Sequence, residues 1–389
     1  MTDAVHEPPL PLHPLSTAER GAIAAAHEFV IVHVAPNRQS WDQQRSDVRS
    51  VFAAAARAGL LGLEVPVESG GQGLSFGCKN RIAPILAAAD FGVAMALINS
   101  HNVAGHLARA ARPAVAARYV PALLAGEITG CTALTEPGAG SDFAAISTFA
   151  RRDGDGWLLD GEKSWIVNAT HADVMVVYAQ TSPDGGAGGI AAFVVDARRD
   201  GFVRSPRLDS GAARGIDAGG FELRGYRAQA DELLHAPGQA FKAALTSING
   251  ARTYVAAMCC SMVEACLQAA NAYGSQRQTF GKPLYDHQGW RWVLADAAVD
   301  LEAARLLVEA ASERIDDGLD AQAAAARAKI FATRMAGRHV ATLMHAMGAE
   351  GLRETQPFLR HRAAAQVATL VDGSTEMLLE RLAKDLRKS

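Results

Sequence analysis

The sequence has 389 residues, of which 49% are hydrophobic and 20% charged, and its formal net charge is −3. A chain of this length can bury a large core and is expected to form two or three domains. The near-neutral charge provides no long-range attraction for nucleic acid or an anionic membrane, so we expect neither as a partner.

The amino-terminal residues and the apolar runs predict a soluble, cytoplasmic protein. The first residues, MTDAVHEPPLPLHPLS, contain acids and prolines where a secretory signal requires a basic start and an apolar stretch. The apolar runs are broken by arginine, as in VFAAAARAGLLGL, and none reaches the roughly 20 residues that span a bilayer. The five cysteines are odd in number and lack a CxxC spacing, which predicts buried thiols rather than disulfides or a zinc site.

Three consecutive segments differ in residue pattern and predict three domains. Residues 1–128 carry alanine and leucine at helical spacing, as in Val51–Leu63 and Ile82–Leu97, and predict a helical domain. Residues 129–236 contain short β-branched and aromatic runs separated by Asp-Gly turns, which predict an antiparallel β domain. Residues 237–389 return to helical periodicity and predict a bundle. No helix-length segment separates the strands, so a Rossmann sheet is not expected.

The boundaries of individual elements can be predicted from the same patterns. The predicted strands are Trp157–Leu159, Ser164–Asn168, Asp173–Thr181 and Ile190–Val195, with turns at Asp153-Gly154, Asp155-Gly156 and Asp160-Gly161. The predicted helices of the last domain are Thr253–Tyr273, Trp290–Ile315, Gln322–Met347 and Leu378–Leu386.

The densest motif is TEPGAGSD, at Thr135–Asp142. Strands follow it rather than a helix opening on phosphates, so it is not a dinucleotide-binding glycine loop. Two interpretations stay open for the motif alone. It is either a surface turn or a loop whose small residues let the backbone approach a flat ligand closely.

Three further motifs also have an ordinary structural interpretation when each is taken alone. Trp165, on a strand within Gly161–Asn168, is either a core residue or the wall of a planar ring. Arg277, at a glycine-punctuated turn between two helices, is either solvated or a phosphate clamp. Residues Asp372–Met377 are either the cap of the last helix or part of a site.

In this order and over this three-part layout, the motifs resemble the acyl-CoA dehydrogenase superfamily from about residue 20 to residue 386. Gly59–Ser75 (GLLGLEVPVESGGQGLS) is similar to the family's glycine-rich entry motif. Ala133–Asp142 (ALTEPGAGSD) and Gln276–Gln288 (QRQTFGKPLYDHQ) are similar to its two signatures. The resemblance implies an α+β multidomain fold: an N-terminal helical domain, a central antiparallel β domain and a C-terminal four-helix-bundle-like domain.

The resemblance also implies non-covalent FAD. Leu134 and Thr135 should then lie along the isoalloxazine ring, and Trp165 should cover one face. Arg277, Thr279 and Phe280 should reach the pyrophosphate and adenosine of FAD on a neighbouring subunit, which implies a homodimer or homotetramer. The remaining cofactor-binding candidates are Gly140, Ser141, Val167, Gln288, His345, Gly348, Ser374 and Glu376.

The implied chemistry is removal of an α-proton from an acyl thioester and transfer of a β-hydride to flavin N5. The family base is a glutamate in an E-G-[TS] turn, and the matching residue here is Asp372. Its backbone N–H is the expected donor to the thioester carbonyl. Arg252, which matches the family's Asn/Asp-x-x-Arg helix start, should sit near this carboxylate. The alternative position for the base is occupied by Ala251, which cannot serve.

Departures from the family pattern leave the exact reaction open. Val167 replaces the usual Thr or Ser that bonds flavin N5, and His345 lies where the family has a glutamine. With the shorter base, these changes suggest specialised metabolism rather than ordinary β-oxidation. Three alternatives follow: a dehydrogenase using an electron-transfer flavoprotein, an oxidase or monooxygenase using O2, and an inactive FAD- or CoA-binding scaffold. The acyl carrier is CoA or an acyl-carrier protein.

Overall fold

The protein is represented by a computed structural model that describes residues 14–38, 41, 48–208 and 217–386. These residues form two compact units. The sheet unit comprises the described residues of 21–75 and 85–248, and the bundle unit comprises residues 14–20, 76–84 and 249–386. The predicted domain boundaries after residues 128 and 236 stay predictions, because the two units reflect contacts rather than sequence pattern.

Short helices make up the amino-terminal third. They are α1 (Thr17–Phe29), α2 (Phe52–Arg57), α3 (Phe76–Ala89), α4 (Phe91–Ala110) and α5 (Pro113–Leu124). The predicted helix Ile82–Leu97 is wrong as one element. Asp90 adopts an extended conformation between α3 and α4, and its side chain accepts from Val93 N to cap α4. The predicted helix Val51–Leu63 is too long, because the chain leaves α2 at Arg57 and Gly59 has a φ of 76°.

One mixed sheet dominates the sheet unit. Its strands are β1 (Gly130–Ala133), β2 (Phe149–Asp153), β3 (Gly156–Ile166), β4 (Val174–Gln180), β5 (Ile190–Asp196), β6 (Phe202–Arg204), β7 (Gly219–Ala228) and β8 (Leu233–His235). The strand order is β6-β7-β3-β2-β4-β5-β8, and β1 pairs in parallel with β4. β2 also pairs in parallel with β4, through Phe149 and Gln180, and the remaining pairings of the sheet are antiparallel, as predicted for this domain.

The sheet corrects one turn prediction. Asp153 pairs with Gly156, so the two Asp-Gly dipeptides at 153–156 form the predicted hairpin turn. Asp160-Gly161, by contrast, lies inside β3 at a β-bulge, so the predicted strands Trp157–Leu159 and Ser164–Asn168 are wrong as separate elements and belong to one strand that ends at Ile166. Gly161 is required there because an added Cβ would lie 2.6 Å from Thr148 Cα. Glycine therefore marks a close approach between strands here rather than a reversal of the chain.

Long helices form the bundle unit. They are α6 (Ala240–Gln276, whose first residues belong to the sheet unit), α7 (Gln288–Asp316), α8 (Gln322–Ala346), α9 (Phe358–Leu370) and α10 (Thr375–Leu386). A small hairpin of β9 (Gln278–Thr279) and β10 (Lys282–Pro283) joins α6 to α7. Gly274 permits close packing of these two helices, since an added Cβ would lie 2.5 Å from Trp290 Nε1. Helix α10 begins three residues earlier than predicted, at Thr375.

Helix α6 contains the most apolar stretch of the described chain. By length and composition it alone among the described helices could cross a membrane, but 61% of its apolar window is buried within the protein. Burial in the core accounts for its composition, which supports the expectation of a soluble protein, while cytoplasmic location stays a prediction. The five cysteines are buried free thiols, three of them on this helix, as predicted.

Candidate active site

In the sheet unit, the first motif is attached to the end of β3 at three successive residues. Lys163 Nζ donates to the Leu134 carbonyl at 3.0 Å and to Glu136 Oε1 at 2.7 Å. Ser164 N donates to the Thr135 carbonyl at 3.1 Å. These bonds set the path of the segment predicted to run along a flavin ring.

Glu136 and Lys163 form a buried ion pair. Glu136 Oε2 also accepts from Ser147 N at 2.6 Å, and Oε1 accepts from Thr148 N at 2.9 Å. Burial alone would raise the pKa of Glu136, but the Lys163 charge and these hydrogen bonds outweigh it and lower the pKa to about 2. Burial lowers the pKa of Lys163 to about 8, so both groups are charged at neutral pH. The pair is therefore an anchor for the motif.

Trp165 lies beside this anchor in an unusual conformation. Its φ is 60°, a left-handed value that is costly for a bulky residue, and its side chain is 60% exposed. A register shift in β3 between Lys163 and Ile166 places it there. Gly220 on β7 permits the bulge, since an added Cβ would lie 2.5 Å from the Lys163 carbonyl oxygen. Trp165 is therefore not a core residue, and its contact with a flavin ring stays a prediction.

The residues after Trp165 are fixed by Asn168, which has a φ of 68°. Its Nδ2 donates to the Ala96 carbonyl at 2.9 Å and to the Gly130 carbonyl at 3.1 Å. Val167 lies between these two strained positions and is half-buried. Its side chain carries no hydrogen-bonding group, so it cannot supply the hydroxyl that the family uses.

The glycine-rich part of the motif forms a tight exposed turn. Glu136 N donates to the Ala139 carbonyl at 2.8 Å, and Ala139 N donates back to the Glu136 carbonyl at 3.2 Å. Gly140 and Ser141 follow the turn and are both exposed. The turn therefore presents small residues to solvent near the motif's anchored end, as a loop that approaches a flat ligand requires.

The second signature forms the small hairpin between α6 and α7 in the bundle unit. Phe280 is at its tip, with a φ of 49° and a side chain that is 98% exposed. Thr279 Oγ1 bonds His287 Nε2 at 3.1 Å, which closes the hairpin against the start of α7. Arg277 and Gln288, at the two ends of this segment, are exposed. An exposed aromatic ring and a guanidinium suit adenine and pyrophosphate recognition.

The Asp372 turn precedes α10 in the same unit. Asp372 has a φ of 54° and Gly373 a φ of 97°, so two consecutive residues are left-handed. Arg252 Nε donates to the Asp372 carbonyl at 3.0 Å, and its Nη1 donates to Asn249 Oδ1 at 3.0 Å. Lys329 of α8 donates to the Val371 carbonyl and, at 2.6 Å, to the Gly373 carbonyl. Two cations from two helices thus hold the turn by its main chain.

The Asp372 carboxylate is buried near these cations. Burial raises its pKa above the usual aspartate value, while the charges of Lys329 and Arg252 act in the opposite direction. Its Oδ2 is buried and has no hydrogen-bond partner among the described residues. A carboxylate with a raised pKa and an unoccupied oxygen is suited to accept a proton.

The other predicted residues of the bundle unit divide into two groups. Ser374 and Glu376 adjoin the Asp372 turn, Ser374 half-buried before α10 and Glu376 exposed in its first turn. His345 is at the far end of α8 from Lys329, about 24 Å along the helix axis at the usual rise per residue. Gly348, with a φ of 62°, follows it. The structure therefore places His345 and Gly348 away from the Asp372 turn, and a role for them in cofactor binding stays a prediction.

Residue patterns alone did not identify the buried cations Lys163 and Lys329. Lys163 follows the buried Trp157 and Leu159 at a spacing of two, so strand alternation places it inward, but a lysine at such a position gives no apolar signal of burial. Lys329 left a clearer signal. It is 1% exposed and sits among the buried apolar residues Ala325, Ala326, Ala328 and Ile330 of α8. A lone lysine on an apolar helix face predicts a buried, paired charge.

Comparison with known proteins assigns the family. The acyl-CoA dehydrogenase N-terminal, middle and C-terminal domains match residues 16–127, 131–225 and 238–387. The glutaryl-CoA dehydrogenase of Desulfococcus multivorans is 30% identical over 92% of this chain and 93% of its own length.

Solved structures agree. The butyryl-CoA dehydrogenase of Megasphaera elsdenii matches with a TM-score of 0.92 and 28% identity, over 96% of this chain and 99% of that one. A glutaryl-CoA dehydrogenase from Mycobacterium smegmatis in complex with FADH2 matches with a TM-score of 0.90 and 26% identity, over 96% of both chains. The three-domain fold expected from the sequence is confirmed, and the chain belongs to the acyl-CoA dehydrogenase family of oxidoreductases.

Proposed function

We propose that this protein is an FAD-dependent acyl-CoA dehydrogenase in which Asp372 removes the α-proton of an acyl thioester. The observation that carries the proposal is the buried Asp372 carboxylate, which combines a raised pKa with an unpartnered Oδ2 among the described residues. Family membership supplies the reaction class, and this carboxylate supplies the base that the class requires.

The residues present fit FAD. The sheet unit offers an exposed indole at Trp165 and the exposed small residues Gly140 and Ser141, which suit a flat ring. The bundle unit offers exposed Arg277 and Phe280, which suit a pyrophosphate and an adenine. When bound, FAD supplies the acceptor for the hydride lost from the substrate β-carbon.

The protein's own part in the reaction is proton transfer. Oδ2 of Asp372 takes the proton, and burial of the carboxylate brings its pKa closer to working pH, where a base is most effective. Arg252 and Lys329 bond the carbonyls of the turn and so fix where the carboxylate points. Their charges also oppose the effect of burial and so favour the ionised form of the carboxylate.

A second candidate is a flavin oxidase or monooxygenase that uses O2 on the same class of substrate. Val167, half-buried beside the strained Trp165, favours it because no hydroxyl is available at that position. An inactive scaffold is disfavoured, because a protein that only binds FAD or CoA does not need a buried carboxylate with an unpartnered oxygen such as that of Asp372. We further propose a specialised acyl substrate, because aspartate is shorter than the family's glutamate.

The proposed partners follow from membership of the family. The acyl carrier is CoA or an acyl-carrier protein, and the electron acceptor of the dehydrogenase is an electron-transfer flavoprotein. We propose a homodimer or homotetramer, because Phe280 is 98% exposed and its proposed cofactor contact lies on a neighbouring subunit.

The test is anaerobic mixing of the FAD-loaded protein with a series of acyl-CoA and acyl-pantetheine thioesters, followed by admission of air. We expect the flavin absorbance to bleach with at least one thioester and to return slowly in air. Return within one turnover would favour the oxygen-using candidate. No bleaching with any acyl thioester, in protein that holds FAD, would reject both.

A further inference from the structure

Lys329 is a buried cation whose hydrogen bonds span the proposed base. Its ammonium group donates to the Val371 carbonyl, immediately before Asp372, and to the Gly373 carbonyl, immediately after it. The side chain is 1% exposed in an otherwise apolar part of α8. An ammonium group in such surroundings is costly to bury unless it is fully paired.

Two carbonyl groups do not balance a full positive charge, and Asp372 is the carboxylate whose charge acts on Lys329. Burial lowers the pKa of Lys329 to about 8, and the charge of Asp372 is the strongest influence in the opposite direction. The turn itself needs support, because Asp372 with a φ of 54° and Gly373 with a φ of 97° are both left-handed. Lys329 thus provides two contributions: it ties the strained turn and it faces the carboxylate with an opposite charge.

We propose that Lys329 is a positioning residue for the reaction: it holds the Asp372 turn in its left-handed conformation and keeps the carboxylate ionised before substrate binds. The proposal rests on Asp372 being the base, as argued above. It assigns to α8 a role that Arg252 of α6 cannot fill alone. Arg252 bonds only the Asp372 carbonyl in this turn, whereas Lys329 bonds the residues on both sides.

Four groups from three helices belong to this charge cluster besides Asp372. Arg252 lies on α6, and Lys329 on α8. Cys259 of α6 faces Lys329, but burial raises its pKa so far that it stays a neutral thiol. Arg381 of α10 acts on Arg252 and forms an ion pair with Asp385 at 3.6 Å. Both Lys329 and Arg252 therefore act on the Asp372 carboxylate, and Lys329 is the stronger of the two cations.

The test compares Lys329→Met, Lys329→Arg and Thr333→Val in the FAD-loaded protein. Thr333 is the matched control, since it is buried one turn further along α8 and its Oγ1 donates to the Lys329 and Ile330 carbonyls of its own helix. Protonation of Asp372 is followed by infrared titration of its carboxyl C=O band, assigned by subtracting Asp372→Asn. An opposite charge lowers a carboxyl pKa by about 1–3 units, so we expect the midpoint in Lys329→Met to rise by about that amount.

Two of the variants serve as controls, and the rate of flavin reduction is a second measurement. We expect Lys329→Arg and Thr333→Val to titrate close to the wild type. We also expect flavin reduction by thioester in Lys329→Met to slow at pH values below the raised midpoint, by about tenfold for each pH unit below it, and to recover as pH rises. If Lys329→Met does not fold, Lys329→Gln, which keeps a donor without a charge, takes its place.

Equal midpoints in the wild type and in the variant without charge would overturn the proposal. The infrared titration needs no turnover, so it decides the role of Lys329 even if no thioester reduces the wild-type flavin. In that case the proposed function would fail while the inference about Lys329 would still stand or fall on its own measurement.

Discussion

Arg252 holds Asp372 by its main chain: the guanidinium Nε donates to the Asp372 carbonyl oxygen at 3.0 Å. The sequence predicted only that this arginine should sit near the carboxylate. The contact through the carbonyl leaves the buried Oδ2 without a partner among the residues that the structure describes. Arg252 therefore orients the turn and adds positive charge, while the oxygen that would accept a proton stays available.

Asp372→Asn tests the base. The substitution keeps the shape of the side chain and removes the proton acceptor, so we expect flavin reduction by thioester to fall by about 10² to 10⁴. FAD content should not change. Glu380→Gln, an exposed carboxylate of α10, is the control and should behave as the wild type. Stopped-flow absorbance gives the rates of both variants. Flavin reduction at the wild-type rate in Asp372→Asn would show that the residue has only a structural role in the turn.

Asp372→Glu tests whether the site has room for a longer side chain at this position. Glutamate adds one methylene, and a general base must come within about 2.6–3.2 Å of its proton donor. Because Asp372 is held in a left-handed turn, we expect the longer side chain to overreach and to slow reduction. Unchanged or faster reduction would show that the site accommodates the family's usual base.

Glu136→Gln tests the anchor beneath the first motif. Removing one partner leaves the Lys163 charge buried without its counter-charge, which costs about 3–5 kcal/mol of the free energy of unfolding. We expect Lys163→Met combined with Glu136→Gln to recover much of that loss. Glu222→Gln, which removes a largely exposed ion pair with Arg224, is the control and should cost about 1 kcal/mol or less. Equal losses for Glu136→Gln and Glu222→Gln in chemical denaturation would rule out the anchor.

The same pair predicts a pH dependence. The pKa of Glu136 falls from 4.5 to about 2 on folding, so its stabilising contribution is complete above the unfolded value. That contribution is lost as pH falls from about 4.5 towards 2, where the carboxylate becomes protonated in the folded state as well. We expect the wild type to lose more stability over this range than Glu136→Gln. Parallel curves of the free energy of unfolding against pH for the two proteins would argue against this contribution of Glu136.

Arg277→Ala tests the hairpin's role in cofactor binding. A hydrogen bond between charged groups is worth about 1.5–3 kcal/mol, so its loss should weaken FAD retention about tenfold to a hundredfold. Because Arg277 is exposed, folding of the chain should be little affected. FAD affinity is measured by titrating apoprotein, with the exposed Arg314→Ala as control. Equal affinity in the two variants would exclude a phosphate contact.

Val167→Thr distinguishes the two candidate enzymes. A hydroxyl at this half-buried position would restore the hydrogen-bonding group that the family usually has there. If the protein uses O2, we expect slower reoxidation of reduced flavin by oxygen and unchanged or faster electron transfer to a protein acceptor. Stopped-flow reoxidation measures both. Identical rates in variant and wild type would mean that Val167 is only a strand residue.

The sequence by itself determined the order of the three domains, the antiparallel β character of the middle one and the family, because these depend on periodicity and local motifs. It also predicted α7 and α8 to within two residues at each end, but it began α6 at Thr253, 13 residues after its observed start at Ala240. Two further predictions failed where the local pattern was misleading. The apolar run Ile82–Leu97 continues through Asp90, and only the extended conformation of that residue divides it. Asp160-Gly161 has the composition of a turn, but Gly161 is needed for close approach to Thr148.

Only the tertiary structure identified the buried lysines and the strained residues. Lys163 continues the period-two alternation of the buried Trp157 and Leu159 on β3, but a lysine gives no apolar signal of burial, and its partner Glu136 lies 27 residues away. Lys329 and the Asp372 turn are far apart in the sequence and meet through helix packing. Local patterns fix which residues can form helices and strands, but burial of a charge depends on which groups the fold brings to it.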